Sequence, residues 1–270
     1  MIDKERFGPW VLVTGASSGI GRELARQLAA DGLDLVLAAR RAPLLRTVAE
    51  DLTRTFGVEC RTVEVDLSRE GALDAIERET RSLNVGLVIS NAGTPFVRRF
   101  LDADRPELDA DVRLNALSHL DLAQHFAPRL AALGRGGLML VGALGGSIGV
   151  PFMAVSAASK AFLLSLGEAL HVELEPRGVT VTVLTPGPVQ TDALELLGLE
   201  GKLPMKALSV EQCAREALSA LAAGRSRITP GRLTRIMHSL VPASVNRRIA
   251  ARVFGEALRD RPRATASHAR

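Results

Sequence analysis

The 270-residue sequence contains no tyrosine, and its aromatic content is one tryptophan and eight phenylalanines. No phenol, with its ordinary pKa of about 10, is therefore available anywhere in the chain as an acid or base. Cysteine is almost as scarce. Cys60 and Cys213 stand far apart, which offers neither a disulfide framework nor a metal-ligand spacing, so no metal site is expected and a reducing, cytoplasmic setting is. No run of 18 apolar residues occurs, and the opening Met1-Ile2-Asp3-Lys4-Glu5-Arg6 is charged, so neither a membrane span nor a secretion signal is expected.

The composition that remains is globular: 47% hydrophobic and 24% charged residues supply a core for one large domain and exclude disorder, collagen and coiled coil. Charge is unevenly placed. Between Arg225 and Arg270 eleven arginines face only Glu256 and Asp260, a net +9 that leaves −5 for the first 224 residues. Among these arginines only Phe254 is aromatic, which argues against base stacking and hence against a nucleic-acid partner. The segment reads as an amphipathic helical appendage, with peripheral contact to anionic lipid as the less favoured alternative.

Apolar runs and helical patterns alternate along the chain. Strands are expected at Trp10–Thr14, Leu33–Ala39, Cys60–Val65, Val85–Ser90, Leu138–Val141, Val179–Leu184 and Arg227–Thr229. Helices are expected at Ile20–Ala30, Pro43–Phe56, Arg69–Leu83, Arg105–Leu133 (kinked late by Pro128), Phe152–Glu175 and Glu211–Ala223. Pro188–Ser209 reads as a loop with a small helix near Asp192–Leu197. Strands separated by helices of this length imply right-handed crossovers and a parallel sheet covered on both faces. The expected fold is thus α/β, a doubly wound, Rossmann-like, three-layer domain over residues 1–231, with a basic helical appendage over 232–270. Within the appendage, Leu233, Ile236, Met237 and Leu240 share one helical face, so a first helix is expected to fold over the pocket mouth and a second, after Pro242, to be basic and peripheral.

The first strand runs into Thr14-Gly15-Ala16-Ser17-Ser18-Gly19-Ile20-Gly21 and then directly into a helix. Backbone N–H groups at such a helix start can face a pyrophosphate, and glycine lets the chain approach it without a Cβ. Where the second strand ends, a dinucleotide fold meets the adenosine ribose, and Arg40 and Arg41 stand there instead of a carboxylate. Guanidinium forks suit a 2′-phosphate, so NADP(H) is favoured over NAD.

These features, with Ser90-Asn91-Ala92-Gly93 after the fourth strand, resemble the short-chain dehydrogenase/reductase family along residues 8–231. The resemblance implies that Asp66 and Leu67 contact adenine, that Asn91, Ala92 and Gly93 line the cofactor, and that Asn115 holds a proton-relay water. It implies that Lys160 is the active-site lysine and binds the nicotinamide ribose. It also makes Pro186, Gly187, Val189 and Thr191 the nicotinamide-side loop. It further implies a small-molecule substrate and a homodimer or homotetramer built through the two long helices. The family's tyrosine falls at Ser156, four residues before Lys160, and its serine at Ala143, 13 residues before that.

The expected activity is therefore NADP(H)-dependent reduction of a carbonyl, imine or iminium, or enone with a non-standard proton donor. Ser156 would anchor a water beside Lys160, with Asn115 passing the proton. His119, four residues after Asn115, is a second candidate acid, and Ser147 a candidate substrate contact. The alternatives are a cofactor-binding member without redox turnover, acting as scaffold or regulator, and a cyclase or isomerase on the same fold.

Overall fold

The apolar runs of the central strands are buried on both faces, and alternate side chains feed two separate cores, while the edge strand Cys60–Glu64 buries Val63 alone. In the computed structural model, which describes residues 2–192, 194, 199, 203 and 206–260, the strands are β1 (Trp10–Thr14), β2 (Asp34–Ala39), β3 (Cys60–Glu64), β4 (Val85–Ser90), β5 (Gly136–Val141), β6 (Val179–Leu184) and β7 (Arg227–Ile228). They form one sheet in the order β3-β2-β1-β4-β5-β6-β7, every pair parallel.

Val11, Val13, Leu35, Leu37, Leu87 and Ile89 face one side, where α2 (Gly19–Ala30), α3 (Ala42–Phe56) and α8 (Val210–Ala222) cover them. Leu12, Val36, Val88, Leu138, Leu140 and Val181 face the other, covered by α4 (Ala72–Thr80), α6 (Ser118–Leu133) and α7 (Ala154–Leu174). The sheet is thus the middle of three layers. Its order reverses between β1 and β4, and at such a switch point the C-terminal strand ends open a crevice.

Several boundaries differ from the sequence reading, for local reasons. A short α1 (Lys4–Phe7), capped by the Asp3 carboxylate on the Glu5 N–H at 2.9 Å, precedes the first strand and was not expected. α4 begins at Ala72 rather than Arg69 because Gly71, in the left-handed region at φ 71°, sets its entry. The helix expected from Phe152 begins at Ala154, since Phe152 holds φ 66° and cannot belong to it. The expected helix Arg105–Leu133 is interrupted: α5 (Arg105–Val112) passes through a π-helical turn at Arg113–Leu117 before α6. α6 then runs through Pro128 to Leu133. The small helix expected near Asp192–Leu197 lies largely outside the described residues.

The C-terminal segment forms α9 (Arg232–Leu240) and α10 (Ala243–Asp260), separated at Pro242 as the sequence suggests. Their placement differs from the expectation in which residues face inward. On α9 the polar Thr234 is buried, while Leu233, Ile236, Met237 and Leu240 are exposed. α10 packs inward as well: its Ala257 is buried and its Arg247 donates to the Ile148 carbonyl at 3.1 Å. No described helix is long and apolar enough to cross a membrane.

Candidate active site

The crevice starts at the turn between β1 and α2. Gly15 and Gly19 sit at φ 66° and 55°, and a Cβ on Gly21 would lie 2.4 Å from the Gly15 carbonyl oxygen, so only glycine fits this close crossing. Ser18 caps α2 in extended backbone without a side-chain capping bond to the helix. Thr14 ties the turn to the neighbouring strand end. Its hydroxyl accepts the N–H groups of Asn91 and Ala92 at 2.9 and 3.0 Å, and the Asn91 amide donates to the Thr14 carbonyl at 2.9 Å. The result is a backbone-lined cradle against a helix N-terminus, which suits a dinucleotide pyrophosphate. Ile20 packs into the core, so its part in the cradle is confined to its backbone.

At the end of β2 the two arginines divide. Arg41 donates to the hydroxyls of Ser17 and Ser18 at 3.2 and 2.7 Å, which places its guanidinium beside the glycine turn. Arg40 is exposed and acts on Asp66 through its charge. Burial would raise the Asp66 carboxyl, but hydrogen bonds from Ser68 and the charges of Arg40 and Arg69 bring it below its ordinary value. The Leu67 side chain belongs to the core.

The other end of the crevice is built from side chains. Asp111 and Asn115 lie one turn apart where α5 enters the π turn, and Ser156 and Lys160 lie one turn apart on α7. Ser156 donates to the Asp111 carboxyl at 2.9–3.0 Å and accepts the Phe96 N–H at 3.1 Å. Asn115 donates to Asp111 Oδ1 at 2.6 Å and to the Thr94 carbonyl at 3.0 Å. Lys160 donates to the Val141 carbonyl at 2.9 Å. Gly93 lies where these groups converge: a Cβ there would be 2.7 Å from Asn115 Oδ1 and 3.1 Å from Lys160 Nζ. Asn115 Oδ1 and His119 Nε2 are buried without a hydrogen-bond partner among the described residues.

Burial governs the charges of this cluster. It pushes Lys160 down to about 8, against the pull of the Asp111 charge. It raises Asp111, against the Ser156 and Asn115 hydrogen bonds and the Lys160 charge. It also holds His119, whose Nδ1 is hydrogen-bonded to the Ser90 hydroxyl at 2.7 Å, well below the usual imidazole range, with the Lys160 charge adding to the effect.

Two expectations change accordingly. His119 is neutral near pH 7 and has no proton to give as an imidazolium. Ser156 is 4% exposed, and its hydroxyl is taken by the Asp111 carboxyl and the Phe96 N–H. Asp111 was not singled out in the sequence. The available signal was its spacing from Asn115, a polar i, i+4 pair matching Ser156 and Lys160 on the facing helix.

On the nicotinamide side, Thr191 approaches the glycine turn, and a Cβ on Gly19 would lie 3.3 Å from its Cγ2. Gly187 meets Thr234 of α9 so closely that a Cβ there would lie 2.9 Å from Thr234 Cγ2. The Pro186 carbonyl accepts the Leu144 N–H at 2.9 Å, and Val189 bridges to Leu208. Ser147 accepts Arg227 Nη2 at 2.8 Å. Beside the polar cluster a small cavity is walled by Phe96, Phe100, Leu108, Phe152 and Val155, with Arg98 at its edge.

Residues 9–199 match the family model described as short chain dehydrogenase. The chain belongs to the short-chain dehydrogenase family. A 7beta-hydroxysteroid dehydrogenase of Collinsella aerofaciens is 31% identical over 222 residues, 81% of this chain and 84% of the relative. A very-long-chain 3-oxoacyl-CoA reductase of Podospora anserina is 34% identical, over 72% of this chain and 64% of its own length. Among solved structures, a short-chain dehydrogenase from Sphingobium yanoikuyae in complex with NADPH superposes with a TM-score of 0.79 at 30% identity, covering 97% of this chain and 99% of that one. The seven-stranded sheet and its crevice are thus those of a short-chain dehydrogenase, a family of nicotinamide-dependent oxidoreductases.

Proposed function

We propose that this short-chain dehydrogenase is an NADP(H)-dependent reductase of bulky apolar carbonyl compounds that works with a non-standard proton donor. The observation that carries the reading is the convergence of Asn115 Oδ1 and Lys160 Nζ on Gly93, in the crevice that begins at the Gly15–Gly21 turn. The cradle fits the cofactor, since the N-terminus of α2 has no side-chain cap and leaves its backbone N–H groups to a phosphate. The turn from Gly15 through Ser17, Ser18, Gly19 and Gly21 would hold the pyrophosphate, and Arg40 and Arg41 the 2′-phosphate. Asp66 and Leu67 would border the adenine. Asn91, Ala92, Gly93 and Lys160 would face the nicotinamide ribose, with Pro186, Gly187, Val189 and Thr191 beyond it. When bound, the reduced cofactor supplies a hydride.

The protein's own task is then to hold the carbonyl and protonate its oxygen. The family's tyrosine and serine positions are occupied by Ser156 and Ala143, so the proton must come through another arrangement. The bulky apolar substrate follows the steroid and long-chain substrates named in the descriptions of its relatives. Assembly as a homodimer or homotetramer through α6 and α7 belongs to the same reading, supported by exposed Leu133, Phe162 and Val172 on these helices.

NADPH oxidation with a panel of bulky ketones, cyclic imines and enones tests the proposal. Ketone reduction is expected; turnover of imines or enones alone would overturn the carbonyl assignment. The enclosure of Ser156 favours a second reading, a cofactor-binding protein without turnover, which NADPH binding with no consumption on any panel member would establish. Arg40→Ala should weaken NADPH by about ten- to a hundred-fold while sparing NADH, since a charge-assisted hydrogen bond is worth roughly 1.5–3 kcal/mol. Equal losses in titrations with both cofactors would reject the 2′-phosphate role.

A further inference from the structure

Asp111 is a buried carboxyl group that keeps 6% of its exposure, and it is the direct partner of the residue at the family's acid position. Its two oxygens are not equivalent. Oδ1 accepts both Asn115 Nδ2 at 2.6 Å and the Ser156 hydroxyl at 3.0 Å. Oδ2 accepts Ser156 alone, at 2.9 Å. A proton on Oδ2 can therefore point at Ser156 Oγ without disturbing the Asn115 bond. The Ser156 hydroxyl has one donor and two acceptor positions. With Asp111 protonated, the acceptor positions are filled by the Asp111 O–H and the Phe96 N–H, and the single donor is released toward the substrate side.

We propose that Asp111 is the proton source of this site and that Ser156 is the hydroxyl relaying its proton to the substrate. The inference rests on reading the chain as a carbonyl reductase and assigns the donor that reading leaves open. The balance is simple. As the carbonyl carbon gains hydride from the reduced nicotinamide, the carbonyl oxygen takes the Ser156 proton and becomes the alcohol. Ser156 regains a proton from Asp111 Oδ2, leaving the Asp111 carboxylate, which then takes a proton from water. Ser156 is the catalytic residue in this scheme; Asp111 acts through it.

The charges around Asp111 are compatible with this cycle. Lys160 faces it from α7 and steadies the carboxylate that each turnover leaves. His119 on α6 is neutral. Arg98, on the segment that also carries Phe96, is paired with Glu107. Burial of Asp111, which raises its carboxyl, then favours return of the proton after each cycle.

The test compares wild type with Asp111→Asn, Ser156→Ala and Ser156→Thr, using NADPH and whichever bulky ketone the wild type reduces fastest. NADPH affinity, followed by its fluorescence, reports whether each variant is folded. Asp111→Asn should lower kcat by ~10²–10⁴-fold, the range of a positioned acid, with NADPH affinity unchanged and the high-pH limb of the rate profile lost. Ser156→Ala should match it, and Ser156→Thr should recover most of the rate. A carboxyl NMR titration of the unliganded protein should show one aspartate, missing in Asp111→Asn, that keeps its proton to higher pH than the rest.

Wild-type kcat in Asp111→Asn, or an ordinary midpoint for Asp111, would overturn the proposal while leaving the reductase reading intact. A wild type that binds NADPH yet reduces no ketone would overturn the reductase reading and the proton route with it. Reduction of iminium substrates alone, with Asp111→Asn raising KM rather than lowering kcat, would show Asp111 to be an anionic binding group instead.

Discussion

The crevice has two ends made of different materials. Between Gly15 and Gly21 the contacts belong to the backbone: positive φ angles, a carbonyl that a Cβ would touch, and N–H groups drawn to Thr14. Between Asp111 and Lys160 they belong to side chains that two helices bring together from 45 residues apart in sequence. The first end has the glycine spacing expected of a phosphate cradle. At the second, a buried aspartate is hydrogen-bonded to Ser156 one turn before Lys160. A binding surface made of backbone tolerates little change in sequence, whereas a cluster of side chains can be rebuilt as long as its hydrogen bonds still close.

The sharpest way to separate the two ends is a single methyl group at each. Gly21→Ala puts a Cβ 2.4 Å from a backbone oxygen that cannot swing aside, so the turn itself must move. Overpacking of this kind costs roughly 1–3 kcal/mol, which should appear as a ten- to hundred-fold loss of NADPH affinity together with a lower Tm. Gly93→Ala meets the Asn115 and Lys160 side chains instead, at 2.7 and 3.1 Å, and these can yield. Its loss should fall on turnover more than on cofactor affinity. If both variants lose NADPH affinity equally, the distinction between the two ends fails.

The side-chain end should also leave a mark on stability against pH. Burial brings native Lys160 to about 8 from 10.5, so above about 8 the unfolded chain still holds a proton that the native one has released. Stability from this group therefore rises with pH between about 8 and 10.5. Native Asp111 is shifted upward from 3.8, so over the range above that value the folded protein holds the extra proton and stability falls as pH rises. Tm recorded across pH should lose the upper slope in Lys160→Met and the lower slope in Asp111→Asn. Unchanged slopes in both variants would mean that the cluster is solvated.

How much of this was legible in the sequence follows the same division. The strands and the glycine turn were readable because burial on both faces and positive φ leave local signatures, an unbroken apolar run and a fixed glycine spacing. Helix ends were less so, because Phe152 at φ 66° and the π turn around Asn115 depend on neighbours that no local pattern names. Asp111 carried a spacing signal but no partner in its own segment, and the Phe96 N–H that holds Ser156 is a backbone group without any signature. The orientation of α9 was misread for a physical reason. Its apolar stripe suggested burial, yet the helix is anchored by polar bonds at its start, where Glu216 accepts the Gly231 N–H at 3.0 Å and Arg235 Nη1 at 2.9 Å.

That anchor gives the smallest expected effect and a contrast in sign to the buried cluster. Burial would raise Glu216, but hydrogen bonds from Gln212, Gly231 and Arg235 outweigh it and lower the carboxyl below its ordinary value. Stability from Glu216 is therefore present at neutral pH and is lost as pH falls through the lowered value, the arm on which Asp111 does the opposite. Its side chain keeps 25% of its exposure and that of Arg235 43%, so the charge pair itself is worth little and the whole anchor about 1 kcal/mol. Glu216→Ala should lower Tm by a few degrees at pH 7, and limited trypsin digestion should cut sooner after Arg232 and Arg235. NADPH affinity should change only as far as Thr234 steadies Gly187. A loss of NADPH affinity as large as that of Gly21→Ala would show that α9 is part of the cofactor cradle, and that the backbone end of the crevice reaches into the appendage.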